Sequence, residues 1–113
     1  MSQDRDRDRQ QREFRDGLRN VTQATLEALA DVGIVATAEQ ITCDPPWEPG
    51  RAIPEAIEIH VRPEGAPFVR APFSREDIED SWRTIERPLV RQRIRAIAAE
   101  YARLRGALRD ANR

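Results

Sequence analysis

The chain has 113 residues, of which 20 are acidic, 19 are basic and 39% are hydrophobic, and its formal net charge is −1. This length fits one domain that can bury a core without disulfides or metal ions. A single cysteine, Cys43, excludes an intrachain disulfide, and no apolar run approaches the roughly 20 residues that cross a bilayer. We therefore expect a cytoplasmic protein that does not engage membranes.

Charge is distributed unevenly along the chain, and every basic residue is an arginine. Residues 37–82 carry ten acids and four arginines, whereas residues 83–113 carry three acids and nine arginines. An acidic middle is therefore followed by a basic C-terminal segment. This pattern favours either an anionic partner for the basic segment or ionic pairing between the two parts of the chain.

The first predicted segments are a charged tail and an amphipathic helix. Residues 1–12 alternate Asp with Arg and offer almost nothing to a core, so we expect a flexible tail there. Residues 13–32 place apolar side chains three and four positions apart, which predicts a helix. Gly33 follows, where a helix often ends. A single domain is therefore expected over residues 13–113.

Three short strands are predicted in the middle of the chain. Around Ile41 and Cys43, apolar and polar residues alternate, which indicates a half-buried strand. The proline-rich loop 44–50 follows and carries Trp47. Residues 56–62 alternate strictly, with aliphatic side chains on one face and Glu, His and Arg on the other. With a turn at 63–67, residues 56–62 and 68–73 predict a β-hairpin.

A helical pattern resumes after Ser74, an N-cap residue with Asp77 three positions later. This helix is expected to carry Ile78, Trp82 and Ile85 inward. Pro88 predicts that the helix stops before it or kinks there. We expect a long, Pro88-kinked C-terminal helix.

The second half of this helix has the most regular apolar spacing in the chain. Steps of four and three residues form an a/d seam: Val90, Ile94, Ile97, Tyr101, Leu104 and Leu108. The seam can pack inside the fold or against a second copy of the chain across a two-fold axis. The sequence leaves both alternatives open.

These elements predict an α+β fold. A small antiparallel sheet of about three strands, including the 56–62/68–73 hairpin, is packed by an N-terminal helix and the long C-terminal helix.

No catalytic or metal-binding pattern is recognisable in the sequence. His60, the only histidine, is expected on the solvated face of its strand, and Cys43 is expected to be a half-buried apolar residue. The carboxylates at 76–80 lie in the first turns of a helix, where the helix dipole favours negative charge. We therefore expect no enzyme, no cofactor and no metal site. An enzyme whose site is assembled only in an oligomer is the remaining catalytic alternative.

The candidate partner-binding residues are an aromatic side chain and a basic stripe on the C-terminal helix: Trp47, Arg83, Arg87, Arg91, Arg95 and Arg105. They favour a non-enzymatic accessory, adaptor or small structural subunit that binds another protein or its own copy, with self-association through the a/d seam. The alternative is a nucleic-acid-binding protein whose arginine-rich helix contacts phosphates, which predicts a strongly salt-dependent affinity.

Overall fold

The computed structural model describes the backbone of residues 2–111 and the side chains of residues 5–106. In chain order the elements are helix α1 (Ser2–Asp31), strands β1 (Ile41–Asp44), β2 (Ala56–Val61) and β3 (Val69–Ser74), and helices α2 (Arg75–Glu79) and α3 (Pro88–Ala111). An N-terminal helix, a three-stranded antiparallel sheet and a C-terminal helix confirm the predicted α+β fold.

The sheet has the order β1-β2-β3, and both pairs are antiparallel. Cys43 on β1 lies opposite Ile59 on β2, which lies opposite Ala71 on β3. The alternation in β2 buries Ile57, Ile59 and Val61 and turns Glu58 and His60 to the other face. Pro72 lies on the edge strand β3, where its missing N–H need not break a ladder hydrogen bond. The predicted hairpin is therefore confirmed.

The hydrophobic core joins the inner face of the sheet to the helices. Helix α1 contributes Phe14, Val21 and Leu29, all fully buried. Tyr101 of α3 is also buried, and its hydroxyl donates a hydrogen bond of 2.6 Å to the carbonyl of Pro67, after the β2–β3 turn. Burial of apolar surface therefore holds the helices against the inner face of the sheet.

Helix α1 begins at Ser2, not at residue 13, so it includes the segment for which the sequence predicted a tail. Gln11 fixes this part of the helix to the proline-rich loop. Its Oε1 accepts from the Gly50 amide (3.0 Å), and its Nε2 donates to the Arg51 carbonyl (2.7 Å). Before Gln11 the described side chains are exposed. The apolar periodicity starts only at Phe14, so the sequence pattern gave no sign of the earlier helical turns. The flexibility of residues 1–12 stays a prediction.

Pro88 does not kink a continuous helix. Helix α2 ends at Glu79 and Pro88 is the first residue of α3, so stopping before the proline is the alternative that is seen. A proline is well placed there, because the first N–H groups of a helix have no intrahelical partner. Trp82 therefore lies between the helices with 39% of its surface exposed, and its predicted inward position was wrong. Ile78 is buried and Ile85 half-buried.

Within residues 2–111, neither long helix has a stretch apolar enough to cross a membrane.

Candidate interaction site

The sequence placed five arginines on one stripe, and the structure gives four of them partners within the chain. The Arg83 guanidinium stacks over the Trp82 ring, 4.9 Å from its centroid. Arg91 Nε donates to the Ile85 carbonyl (2.8 Å), and Arg105 Nη1 donates to the carbonyl of Val32 (2.9 Å). The fourth, Arg87, binds two carboxylates of the α2 region. Arg95 is exposed and makes no ion pair with the residues that the structure describes.

Arg87 connects the start of α3 to α2. Its Nη1 lies 2.9 Å from Asp77 Oδ1, and its Nη2 lies 2.8 Å from Asp80 Oδ2. Asp77 is also the N3 residue of a capping box, since its Oδ2 accepts from the Ser74 amide and its amide donates to Ser74 Oγ. Burial alone would raise the pKa of Asp77, but the Ser74 hydrogen bonds and the Arg87 guanidinium outweigh it and lower that pKa.

Residues 80–87, here called the Trp82 loop, are held at several points. Asn20 of α1 donates through Nδ2 to the carbonyls of Ser81 (2.9 Å) and Trp82 (3.0 Å). The Ser81 hydroxyl donates to the Asp77 carbonyl at 2.8 Å. Together with Arg87 and Arg91, these bonds fix the loop to three helices. Bonds within the chain are therefore sufficient to order the loop.

The side chains on this loop form an exposed aromatic surface. The Trp82 ring is partly exposed and covered on one side by Arg83. Leu89, in the first turn of α3, is 45% exposed nearby in sequence. Such a surface combines an apolar ring with a cation, the chemistry that many protein interfaces use at their centre.

Trp47 belongs to a different part of the molecule. Its ring packs edge-on against Phe14 of α1 with centroids 4.8 Å apart, and its Nε1 donates to the Arg51 carbonyl at 3.1 Å. The ring is half-buried and joins the proline-rich loop to the core. Its predicted role as a partner anchor stays a prediction, but a structural role accounts for the contacts seen.

Most of the a/d seam is occupied by this chain. Val90, Ile94, Ile97 and Tyr101 are all buried in the core, and Leu104 is half-buried. The side chain of Leu108 lies outside the described residues. A second copy could reach the four buried side chains only by opening the fold, and self-association through this seam stays a prediction.

The two side chains whose types are most often catalytic or metal-binding are Cys43 on β1 and His60 on β2. Burial, helped by the charge of Asp44, raises the pKa of the Cys43 thiol to about 11, so the thiol is protonated at neutral pH and weakly nucleophilic. His60 lies on the outer face of the sheet, where its Nε2 is 3.2 Å from Glu58 Oε1 and 3.8 Å from Asp44 Oδ2. The alternation of β2 predicts His60 on this face, but no local pattern predicts that it meets these two carboxylates.

Trp82 is the site residue whose position was least predictable from the sequence. Its helical spacing from Ile78 suggested burial. The signal against burial was Pro88: when a helix ends before a proline, the residues just upstream no longer follow the helical spacing.

No protein-family model, curated protein or solved structure matches the chain.

Proposed function

We propose that the chain is a non-enzymatic accessory protein that binds a partner protein through the Trp82 loop. One observation supports this most directly: an exposed tryptophan lies on a loop whose backbone accepts hydrogen bonds from side chains of α1 and α3, and whose Ser81 hydroxyl bonds to α2. Binding through such a loop loses little conformational entropy, because the loop is ordered beforehand.

The partner that fits this surface has an apolar pocket with carboxylates at its rim. Trp82 supplies the large apolar side chain, and tryptophan and arginine are the residue types most enriched at binding hot spots. Arg83 lies on the ring, and the segment that begins there has nine arginines and three acids. A partner with an acidic rim would complement that charge and associate faster at low salt.

Nucleic-acid binding ranks second, because most arginines of the basic stripe already have partners within the chain. A phosphate track needs several guanidinium groups that can point to a backbone at once. Arg87 is paired with Asp77 and Asp80, and Arg105 binds the Val32 carbonyl. Arg95 is the member of the stripe that has none of these contacts.

The test compares the full chain with Trp82→Ala and with Val35→Ala, a control that truncates another exposed apolar side chain, 89% exposed. Each tagged chain is used to capture proteins from the native lysate, with and without nuclease, and the bound proteins are quantified. Urea unfolding checks that both variants stay folded. We expect the wild type and Val35→Ala to retain one stoichiometric acidic protein after nuclease treatment, and Trp82→Ala to retain about 30-fold less.

Equal capture by all three chains would show that Trp82 does not contribute to partner binding. Capture that disappears with nuclease would favour the nucleic-acid alternative. Sedimentation of the purified chain tests the last outcome: self-association that Trp82→Ala abolishes would replace the acidic partner with a second copy of this chain.

A further inference from the structure

We propose that Asp44, Glu58 and His60 form a binding site for a divalent transition-metal ion on the outer face of the sheet. The strand register brings them together: Asp44 of β1 lies directly opposite Glu58 of β2, and His60 follows Glu58 by two residues on the same face. This face is opposite to the one that packs on the helices, so the inference does not depend on the Trp82 loop.

The distances among the three side chains suit one ion. The two distances from His60 Nε2 are 3.2 and 3.8 Å, and one donor atom from each residue lies within 4.8 Å of the others. Ligand atoms about 2.1 Å from a tetrahedral zinc ion lie about 3.4 Å apart. A cation between the three groups therefore requires only small movements, and Asp44 has an exposed side chain that can make them.

The charges in this cluster call for a cation. Asp44 and Glu58 are directly cross-strand neighbours, an arrangement in which like charges destabilise a sheet. Arg70 compensates in part, since its Nη1 lies 3.8 Å from the same Glu58 oxygen that faces His60. Its side chain is mostly exposed and can swing away. A dication placed between the carboxylates would offset their repulsion more completely.

The imidazole is held in place for ligation. The side chain of His60 is only 14% exposed, and its ring meets Phe68 edge-on with centroids 5.0 Å apart. Arg62 stacks on the same phenyl ring. Packing of this kind restricts the ring, and a fixed ligand loses less entropy when it binds.

The donor set selects the class of ion. One imidazole nitrogen with two carboxylates suits zinc and similar transition ions, whereas magnesium and calcium prefer oxygen ligands alone. An open cleft of about 540 Å³ adjoins the cluster, with Thr42, Asp44 and His60 in its lining. Three protein ligands beside open space leave positions for water or for a group from another molecule.

The experiment uses the full, tag-free chain after chelator treatment, titrated with zinc in a calorimeter and with cobalt by absorption spectroscopy. We expect one zinc ion per chain, no comparable binding of magnesium, and cobalt bands without a thiolate charge-transfer band. Asp44→Asn should weaken zinc binding about tenfold or more, as loss of a charged ligand implies. His60→Gln should remove it. Arg70→Gln should strengthen zinc binding by about threefold, because it removes a cation that competes for Glu58.

Two variants serve as controls. Glu64→Gln removes an exposed carboxylate outside the cluster, and Cys43→Ser removes the neighbouring thiol; both should bind zinc like the wild type. Circular dichroism checks that each variant is folded. Absence of stoichiometric binding, binding that survives His60→Gln, or binding that Cys43→Ser abolishes would overturn the proposed site.

Discussion

At the scale of single residues, Asp77 combines two tasks in a buried position. It is the N3 residue of the α2 capping box and it accepts from the Arg87 guanidinium, while only 4% of its surface is exposed. The hydrogen bonds and the cation favour the ionised form and outweigh the effect of burial, so the pKa in the folded state lies below the ordinary 3.8. Asp77 therefore stabilises the fold at pH values above 3.8, and this contribution is lost as the pH falls through the folded-state pKa.

We expect Asp77→Asn to lower the free energy of unfolding at pH 7 by about 1–3 kcal/mol, because a buried charged hydrogen bond is lost. The variant should also lose less stability than the wild type when the pH is taken below 3.8. Urea unfolding across a pH series measures both effects. The difference between the two chains cancels the opposite trend from Glu79, whose pKa is raised by burial.

Asp80→Asn is the matched control, since Asp80 also pairs with Arg87 but is half exposed. This variant should lower the free energy of unfolding by less than about 1 kcal/mol, as is usual for exposed ion pairs. Parallel acid-induced losses in the wild type and Asp77→Asn would show that Asp77 does not carry this pH dependence.

At the scale of elements, Gly17 decides how closely α1 approaches α2. A Cβ at this position would collide with the carbonyl oxygen of Ile78. Glycine weakens a helix interior by about 1 kcal/mol relative to alanine. The absence of a side chain at Gly17 offsets this cost, because it lets α2 come close enough for Ile78 to enter the core beside α1.

Gly17→Ala should therefore lower the free energy of unfolding by about 1–3 kcal/mol despite its better helix propensity, because a backbone atom must move. Gly106→Ala is the control: a Cβ there meets nothing within 4 Å. It should raise stability by up to about 1 kcal/mol. Urea midpoints of the two variants measure the contrast, and a stabilising Gly17→Ala would contradict the packing described here.

At the scale of the whole molecule, the N-terminal turns of α1 extend beyond the core. Gln11 is the first residue of α1 described as bonded to the proline-rich loop, and the described side chains before it are exposed. We therefore expect the stable domain to begin near Gln11, and the boundary at residue 13 that the sequence predicted stays a prediction.

Deleting residues 1–10 should change the free energy of unfolding by about 0.5 kcal/mol or less, the range of exposed changes. Gln11→Ala should lower it by about 0.5–1.5 kcal/mol, because two hydrogen bonds to the loop are lost. Thermal and urea unfolding of both proteins measure this. A large loss from the deletion, or none from Gln11→Ala, would place the boundary elsewhere.

The sequence by itself determined the order and the type of the elements. Alternation of period two marked the hairpin, spacing by three and four marked α1 and α3, and Ser74 marked the start of α2. These signals are readable because each arises from the geometry of one local segment.

Only the tertiary structure decided which side chains meet. The exposure of Trp82 depends on where α2 stops and on Asn20 of α1. The Asp44–Glu58–His60 cluster depends on a strand register, and the Gly17 contact on the distance between two helices. Contacts between segments far apart in the chain are fixed by how the whole core packs, and no local pattern of residues carries that information.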